Sequence, residues 1–312
     1  MSLATLLRIA LVVQLAAGTL LARWLLPAGS PWWQALALAP LLPAAGTFIV
    51  LGIELAVGAL VDPRRPRSSL ANVLRVWTGE TGCSLRVFCW RQPFASSFPE
   101  PPLADDPQRP ALLLVAGYLC NRAVWKPLLD SGQLAGCNVA TVNIEPVFGP
   151  IDRYADEIDS AVKRLQQATG ARQVTLVGHS MGGIASRAYL RKHGDAAVAH
   201  VITLASPHHG TVFGRLGHGA NAHQMARGSE FLSTLAGAET AERRRRFTCI
   251  ATADDNLVVP RSSPLLPDAG HHVIDGVGHL ALTEDPRAWR LVRQAIDGAQ
   301  ARQGEARIGS PA

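Results

Sequence analysis

Charge is scarce in this sequence. Only 17% of its 312 residues are Asp, Glu, Lys or Arg, and aromatic residues reach 6%. Those averages combine two unlike regions: the stretch before residue 62 is almost wholly apolar, and the remainder has ordinary globular composition. A positive mean hydropathy produced in this way points to a chain held at a membrane or exported. Cysteine is scarce as well. Cys83, Cys89, Cys120, Cys137 and Cys249 are an odd set without Cys-x-x-Cys spacing, which argues against a disulfide framework or a zinc site and leaves small buried hydrophobes. Basic residues are not interleaved with aromatics and no nucleic-acid motif accompanies the formal charge of +6, so nucleic acid is not an expected partner. The block Arg243, Arg244, Arg245, Arg246 reads as a solvated helix end, with anionic lipid headgroups as the alternative contact. No internal repeat is visible.

What is abundant comes first in the chain. Residues 3–26 are apolar except for Arg8, Gln14 and Arg23, and the two arginines stand near the ends, where long side chains reach the interface. A secretory signal is the rival reading, but a second apolar stretch over residues 35–61, after a turn with Trp32 and Trp33, argues for two transmembrane helices within residues 1–62. Pro40 and Pro43 start or kink the second helix, and a crossing of ~20 residues still fits between Pro43 and Val61. Glu54 lies deep inside it, where an acid is costly. It is expected to pair with a polar group of the first helix such as Gln14 or with a basic residue near the interface, and a functional proton site is the alternative. Arg8 before the hairpin and Arg64, Arg65 and Arg67 after it favour a bacterial-type inner membrane protein with both hairpin ends and the following domain in the cytoplasm.

Residues 63–110 read as a linker with two short antiparallel strands, at 73–78 and 84–90, followed by a Pro/Ser/Asp-rich loop. From residue 111 apolar runs alternate with helical patterns. Strands are expected at 111–116, 138–143, 173–177, 198–204, 247–251 and 271–274, and helices at 122–134, 151–168 and 286–300. This is the signature of a doubly wound, mostly parallel α/β sheet over residues 111–302. A Gly-rich insertion at about 207–246 is a candidate cap, mobile or static, and the tail over 303–312 is expected to be disordered.

Residues 174–183, VTLVGHSMGG, place a serine in a Gly-x-Ser-x-Gly pattern between an apolar run and a helix start. That setting is the nucleophile elbow of α/β-hydrolases, whose turn is so tight that Gly178 and Gly182 must be small. Ser180 is therefore the candidate nucleophile. A hydroxyl needs a base, and the base an acid to fix its tautomer. Asp254 or Asp255 emerges after the strand that begins at Phe247, and His279 follows the last strand in a Gly-Val-Gly-His turn, which gives the order Ser, Asp, His. His208, His209, His218 and His223 lack the spacing and carboxylates of a metal site, so no metal is expected, and His179 reads as a structural part of the elbow.

From about residue 111 to 300 the chain resembles the α/β-hydrolases of the bacterial lipase and esterase group. The acid of that family commonly lies in Asp-x-[Leu/Ile/Val]-Val, which Asp255 fits in Asp255-Asn-Leu-Val258, so the resemblance favours Asp255 over Asp254. SPHHGT at 206–211 and QMARGSEFL at 224–232 are similar to lipase segments after the sixth strand and near the lid. The resemblance implies an oxyanion hole formed by the N–H groups of Met181 and Tyr118, although many relatives have His-Gly where this chain has Ala116-Gly117. The expectation is a membrane-anchored serine hydrolase that cleaves a lipid-like carboxylic ester without a cofactor. The same triad would also serve an acyltransferase or a thioesterase. A non-catalytic membrane scaffold or transport component, with Glu54 as its functional residue, is the reading from another class.

Overall fold

A computed structural model describes residues 1–62 and 68–308; Arg64, Arg65 and Arg67 lie outside the described residues. Three apolar helices open the chain: α1 (Leu3–Leu25), α2 (Trp32–Leu38) and α3 (Leu41–Val61). Ser2 caps α1 by accepting the Thr5 N–H. The second apolar stretch is not one helix. It breaks between α2 and α3 at Ala39 and Pro40, where proline has no N–H to continue the ladder. By length and composition, Leu3–Leu25 and Trp32–Val61 could each cross a membrane. Trp24, Trp32 and Trp33 are exposed around the turn between them.

The expected strands at 73–78 and 84–90 are helical. In their place stand α4 (Leu70–Leu85), a π-helical turn (Arg86–Arg91) and the short α5 (Gln92–Phe94). Val, Trp and Thr there suggest strands by propensity, but burial decides: Val76, Glu80, Cys83 and Val87 are all buried and recur at helical spacing. A carboxylate in the second of those positions hides the apolar stripe. Trp77 of α4 stacks on Phe48 of α3, with centroids 4.1 Å apart, and donates its indole N–H to the Phe48 carbonyl at 2.7 Å.

Six strands form one sheet: β1 (Ala111–Val115), β2 (Asn138–Val142), β3 (Val174–His179), β4 (Val198–Leu204), β5 (Phe247–Thr252) and β6 (Gly270–Ile274). Their order is β2-β1-β3-β4-β5-β6, and every pairing is parallel. Helices cover both faces. A 3-10 turn (Arg122–Trp125) and α6 (Lys126–Asp130) replace the single helix expected over 122–134, because Pro127 cannot donate to residue 123. Then follow α7 (Ile151–Thr169), α8 (Met181–His193), α9 (Ala220–Gln224), α10 (Glu230–Gly237), α11 (Ala241–Arg244) and α12 (Pro286–Ile308). The continuous apolar run of β1 has a direct cause. Leu113 and Val115 pack with Ile158, Val162 and Ile184 of α7 and α8, while Leu112 and Leu114 pack with Trp125, Val292 and Ile296 on the opposite face. Each such side chain contributes roughly 1.5–3 kcal/mol on burial.

α12 continues to Ile308, so residues 303–308 are helical where disorder was expected; Ala, Arg, Gln and Glu there favour helix, and Gly-Ser-Pro begins only at residue 309. Residues 309–312 lie outside the described residues. The insertion over 207–246 is tied to α8. Arg187 of α8 forms a buried two-pronged pair with Glu239, at 2.7 and 2.8 Å, and donates a third bond to the His208 carbonyl at 2.8 Å. The arginine block ends a helix as expected, with Arg244 the last residue of α11 and Arg245 exposed, and it also carries ion pairs, Arg243 with Asp195 and Arg244 with Asp268. All five cysteines are free; Cys83, Cys120 and Cys249 are buried, and Cys89 and Cys137 are half-buried.

Candidate active site

β3 ends at His179 and α8 begins at Met181, so Ser180 alone makes the turn, with φ 54° and ψ −122°. That backbone is unfavourable for serine and persists because its surroundings hold it. The Ser180 N–H donates to the Leu204 carbonyl at 2.8 Å, and the Ser180 carbonyl accepts the Gly183 N–H at 3.1 Å. A Cβ on Gly178 would fall 2.5 Å from the Gly183 nitrogen, and one on Gly182 would collide with the Val115 carbonyl. The small residues of the pattern are thus required by the approach of α8 to β1 and β3.

Asp254 and Asp255 follow β5 and part company. His279 Nδ1 stands 3.0 and 3.1 Å from the two carboxylate oxygens of Asp255, both residues being buried. Asp255 Oδ1 also accepts the N–H groups of Leu257 and Val258, at 2.8 and 2.7 Å, so the carboxylate is aimed before any ligand arrives. Asp254 instead joins three segments. It accepts from Ser68 Oγ, Asn72 Nδ2 and the Gly276 N–H, at 3.1, 3.2 and 2.7 Å, with Arg261 at 3.5 Å. Burial opposes its charge, but these donors hold its carboxyl below the usual range.

Burial alone disfavours a protonated His279. The charge and hydrogen bond of Asp255, with Glu80 and Glu54 behind them, outweigh it and hold the His279 pKa above the ordinary value. His179 is the opposite case. Burial, with the charge of His279 added, pushes it down to about 3, and the neutral ring sets Nε2 3.3 Å from the His279 carbonyl. Among the described residues no three His, Cys, Asp or Glu side chains converge as metal ligands. His208 faces Thr203 Oγ1 at 3.0 Å, and His209 Nδ1 faces the Ser263 carbonyl at 3.1 Å.

Met181 opens α8, where the first amide groups have no acceptor within the helix. Tyr118 follows Gly117, which lies directly against Ser180: a Cβ on Gly117 would stand 3.0 Å from Ser180 Cβ. The Tyr118 hydroxyl donates to the His218 carbonyl at 2.8 Å and accepts the His218 N–H at 3.1 Å, latching the β1 end to the insertion. The two lipase-like segments act as connectors. Gln224 accepts the Ile151 N–H and so caps α7, Ser229 caps α10, and Thr211 Oγ1 donates to the Leu257 carbonyl beside Asp255.

Sequence reasoning missed the part that the N-terminal helices take. Among the described residues Glu54 meets neither Gln14 nor an interfacial base; its Oε2 accepts from Asn256 Nδ2 at 2.7 Å, next to Asp255. Gly58 packs on Val259, and Asp62 accepts the Arg261 N–H at 3.1 Å. Glu80 of α4 accepts the N–H groups of Leu280 and Ala281. The only sequence signal was that both acids occupy otherwise apolar helical faces.

Residues 110–228 match the family model described as the α/β hydrolase fold. Triacylglycerol lipases of Pseudarthrobacter phenanthrenivorans and Burkholderia plantarii are each 35% identical over 92 residues, covering 28% of this chain and 28% and 25% of theirs. The chain thus spans about a quarter of the length of these curated relatives. Among solved structures, the mature lipase BlEst2 of Bacillus licheniformis superposes with a TM-score of 0.54 at 17% identity, covering 63% of this chain and 96% of that one. Aspergillus fumigatus lipase B gives 0.54 at 19% identity over 62% and 53%. Those two likenesses show the fold.

Proposed function

The chain has the α/β-hydrolase fold, and from that premise we propose that it is a membrane-anchored serine hydrolase of lipid-like carboxylic esters. The observation that carries the reading is Ser180 on the strained elbow of a central strand, together with a buried His279 backed by Asp255 at 3.0 Å. Ser180 Oγ attacks the ester carbonyl and passes its proton to His279 Nε2, while Asp255 keeps the other nitrogen as an N–H donor. The N–H groups of Tyr118 and Met181 receive the oxyanion; one such donor is typically worth ~10²–10³ in rate. The imidazolium gives its proton to the leaving alcohol. Water, deprotonated in turn by His279, attacks the Ser180 ester; the imidazolium returns its proton to Ser180 Oγ as the acid leaves, and no cofactor is needed. The names of the curated relatives, triacylglycerol lipase, agree with this chemistry.

The hairpin supplies the substrate class. α1 and the segment Trp32–Val61 enter the bilayer, and both hairpin ends remain on the hydrolase side. Arg8 near the start of α1 donates to the Pro93 carbonyl at 2.7 Å, and Asp62 after α3 accepts from Arg261. Because α3 meets the domain at Asn256, Val259 and Arg261, the loops beside the triad acid face the membrane. An apolar acyl chain can then leave the bilayer without crossing water. In a series of aryl esters, kcat/KM is expected to rise from acetyl to medium-length acyl groups, and glycerides or phospholipids in vesicles should be cleaved. Activity restricted to short soluble esters and indifferent to vesicles would contradict the lipid assignment. The arginines at 8, 64, 65 and 67 support a cytoplasmic domain. A reporter fused after Ala312 that works only in the periplasm should therefore be silent, and its activity would reverse the topology.

A further inference from the structure

The loop that carries His279 is gripped by two carboxylates from outside the α/β core. Glu80 of α4, 2% exposed, accepts the Leu280 N–H on Oε1 at 2.7 Å and the Ala281 N–H on Oε2 at 2.9 Å, the two amides after His279. Gly278, the residue before His279, lies so close to the same carboxylate that a Cβ there would collide with it. From the other side, Glu54 of α3 accepts from Asn256 Nδ2 at 2.7 Å, and Asn256 Oδ1 accepts the His279 N–H at 3.0 Å. Three consecutive amides, from His279 to Ala281, are therefore fixed by α3 and α4, one through Asn256 and two directly.

We propose that Glu54 and Glu80 are positioning residues for His279, so that the N-terminal helices form part of the catalytic machinery as well as an anchor. The proposal rests on the reading of His279 as general base. A neutral side chain would fill the Glu80 site at lower cost, since burial, only partly offset by the two backbone donors, pushes the Glu80 carboxyl up to about 7. A costly buried acid beside a base is explained if it orients that base and favours its charged form. The groups that face His279 are Asp255 after β5, His179 in the elbow, Glu54 on α3 and Glu80 on α4. In its ionised form each of these carboxylates favours the imidazolium that forms during each proton transfer.

The test uses the full-length protein in detergent with a short aryl ester, active sites being counted by fluorophosphonate titration. Glu54→Leu and Glu80→Gln should each lower kcat per titrated site by ~10-fold or more with KM within about twofold, as expected of a misaligned base. Leucine is at home in an apolar helix, so Glu54→Leu keeps the test decisive even if Glu80→Gln folds poorly. Asn256→Ala should resemble Glu54→Leu, and the double variant should be no worse than either single one, because the two act in series. The pH profile separates positioning from a merely structural role. His279 must be neutral to act as base, so kcat/KM falls as pH falls through its pKa. Loss of a neighbouring negative charge lowers that pKa and moves the acid limb to lower pH, whereas loss of folded protein leaves the limb in place. Unchanged kcat and acid limb in Glu54→Leu and Glu80→Gln, with an active wild type, would overturn this proposal alone. A folded wild type that neither turns over ester nor takes the fluorophosphonate would overturn the hydrolase reading with it.

Discussion

Ester turnover by the Asp255→Asn variant is expected to fall by roughly 10⁴ in kcat, the size seen when a triad acid loses its charge but keeps its shape. The reason lies in which oxygen is already occupied. Oδ1 of Asp255 accepts two backbone N–H groups, from Leu257 and Val258. An asparagine must keep its oxygen there and turn its NH₂ to the Oδ2 position, 3.0 Å from His279 Nδ1. That donor forces Nδ1 to accept, places the ring proton on Nε2 and removes the base from Ser180. Asp254→Asn should behave differently. Its carboxylate binds Ser68, Asn72 and Gly276, so the change is expected to cost about 1–3 kcal/mol of stability while kcat stays within about tenfold. Kinetics and denaturation of the two variants side by side check the pair, and a reversed order of kcat losses would reassign the acid.

Ser180→Ala is expected to remove roughly 10⁵–10⁶ of kcat, leaving only what binding and the oxyanion donors provide. The fold should survive. The bonds that hold the elbow run through the Ser180 backbone, to the Leu204 carbonyl and from the Gly183 N–H, and alanine keeps both. Fluorophosphonate labelling and turnover should disappear together while the unfolding midpoint stays within a few degrees. Residual turnover near the wild-type level would mean that another group performs the chemistry.

Much of the α/β core was legible because its signals are local. β1 reads as a buried strand since both of its faces meet helices, and α7 reads as amphipathic since Ile151, Tyr154, Ile158, Val162 and Leu165 fall on one side. The elbow is legible because its glycines answer to contacts within a few residues and one neighbouring strand. What escaped depends on distant partners. Residues 73–78 and 84–90 read as strands by propensity, and the helical stripe of α4 is hidden because Glu80 interrupts it; that acid belongs there only for amide groups 200 and 201 residues away. The Glu54 to Asn256 bond spans 202 residues, with no pattern in either segment that names the other. The choice between Asp254 and Asp255 lay between: adjacent in sequence and alike in chemistry, they are separated by which loop each one faces.

The most direct test of the whole account is covalent labelling of the full-length, detergent-solubilised protein with a fluorophosphonate, followed by identification of the modified residue. A serine activated by His279 and Asp255 should take the reagent stoichiometrically at Ser180 and lose the label in Ser180→Ala and His279→Ala. Folded protein that stays unlabelled, or a label that persists in Ser180→Ala, would contradict it.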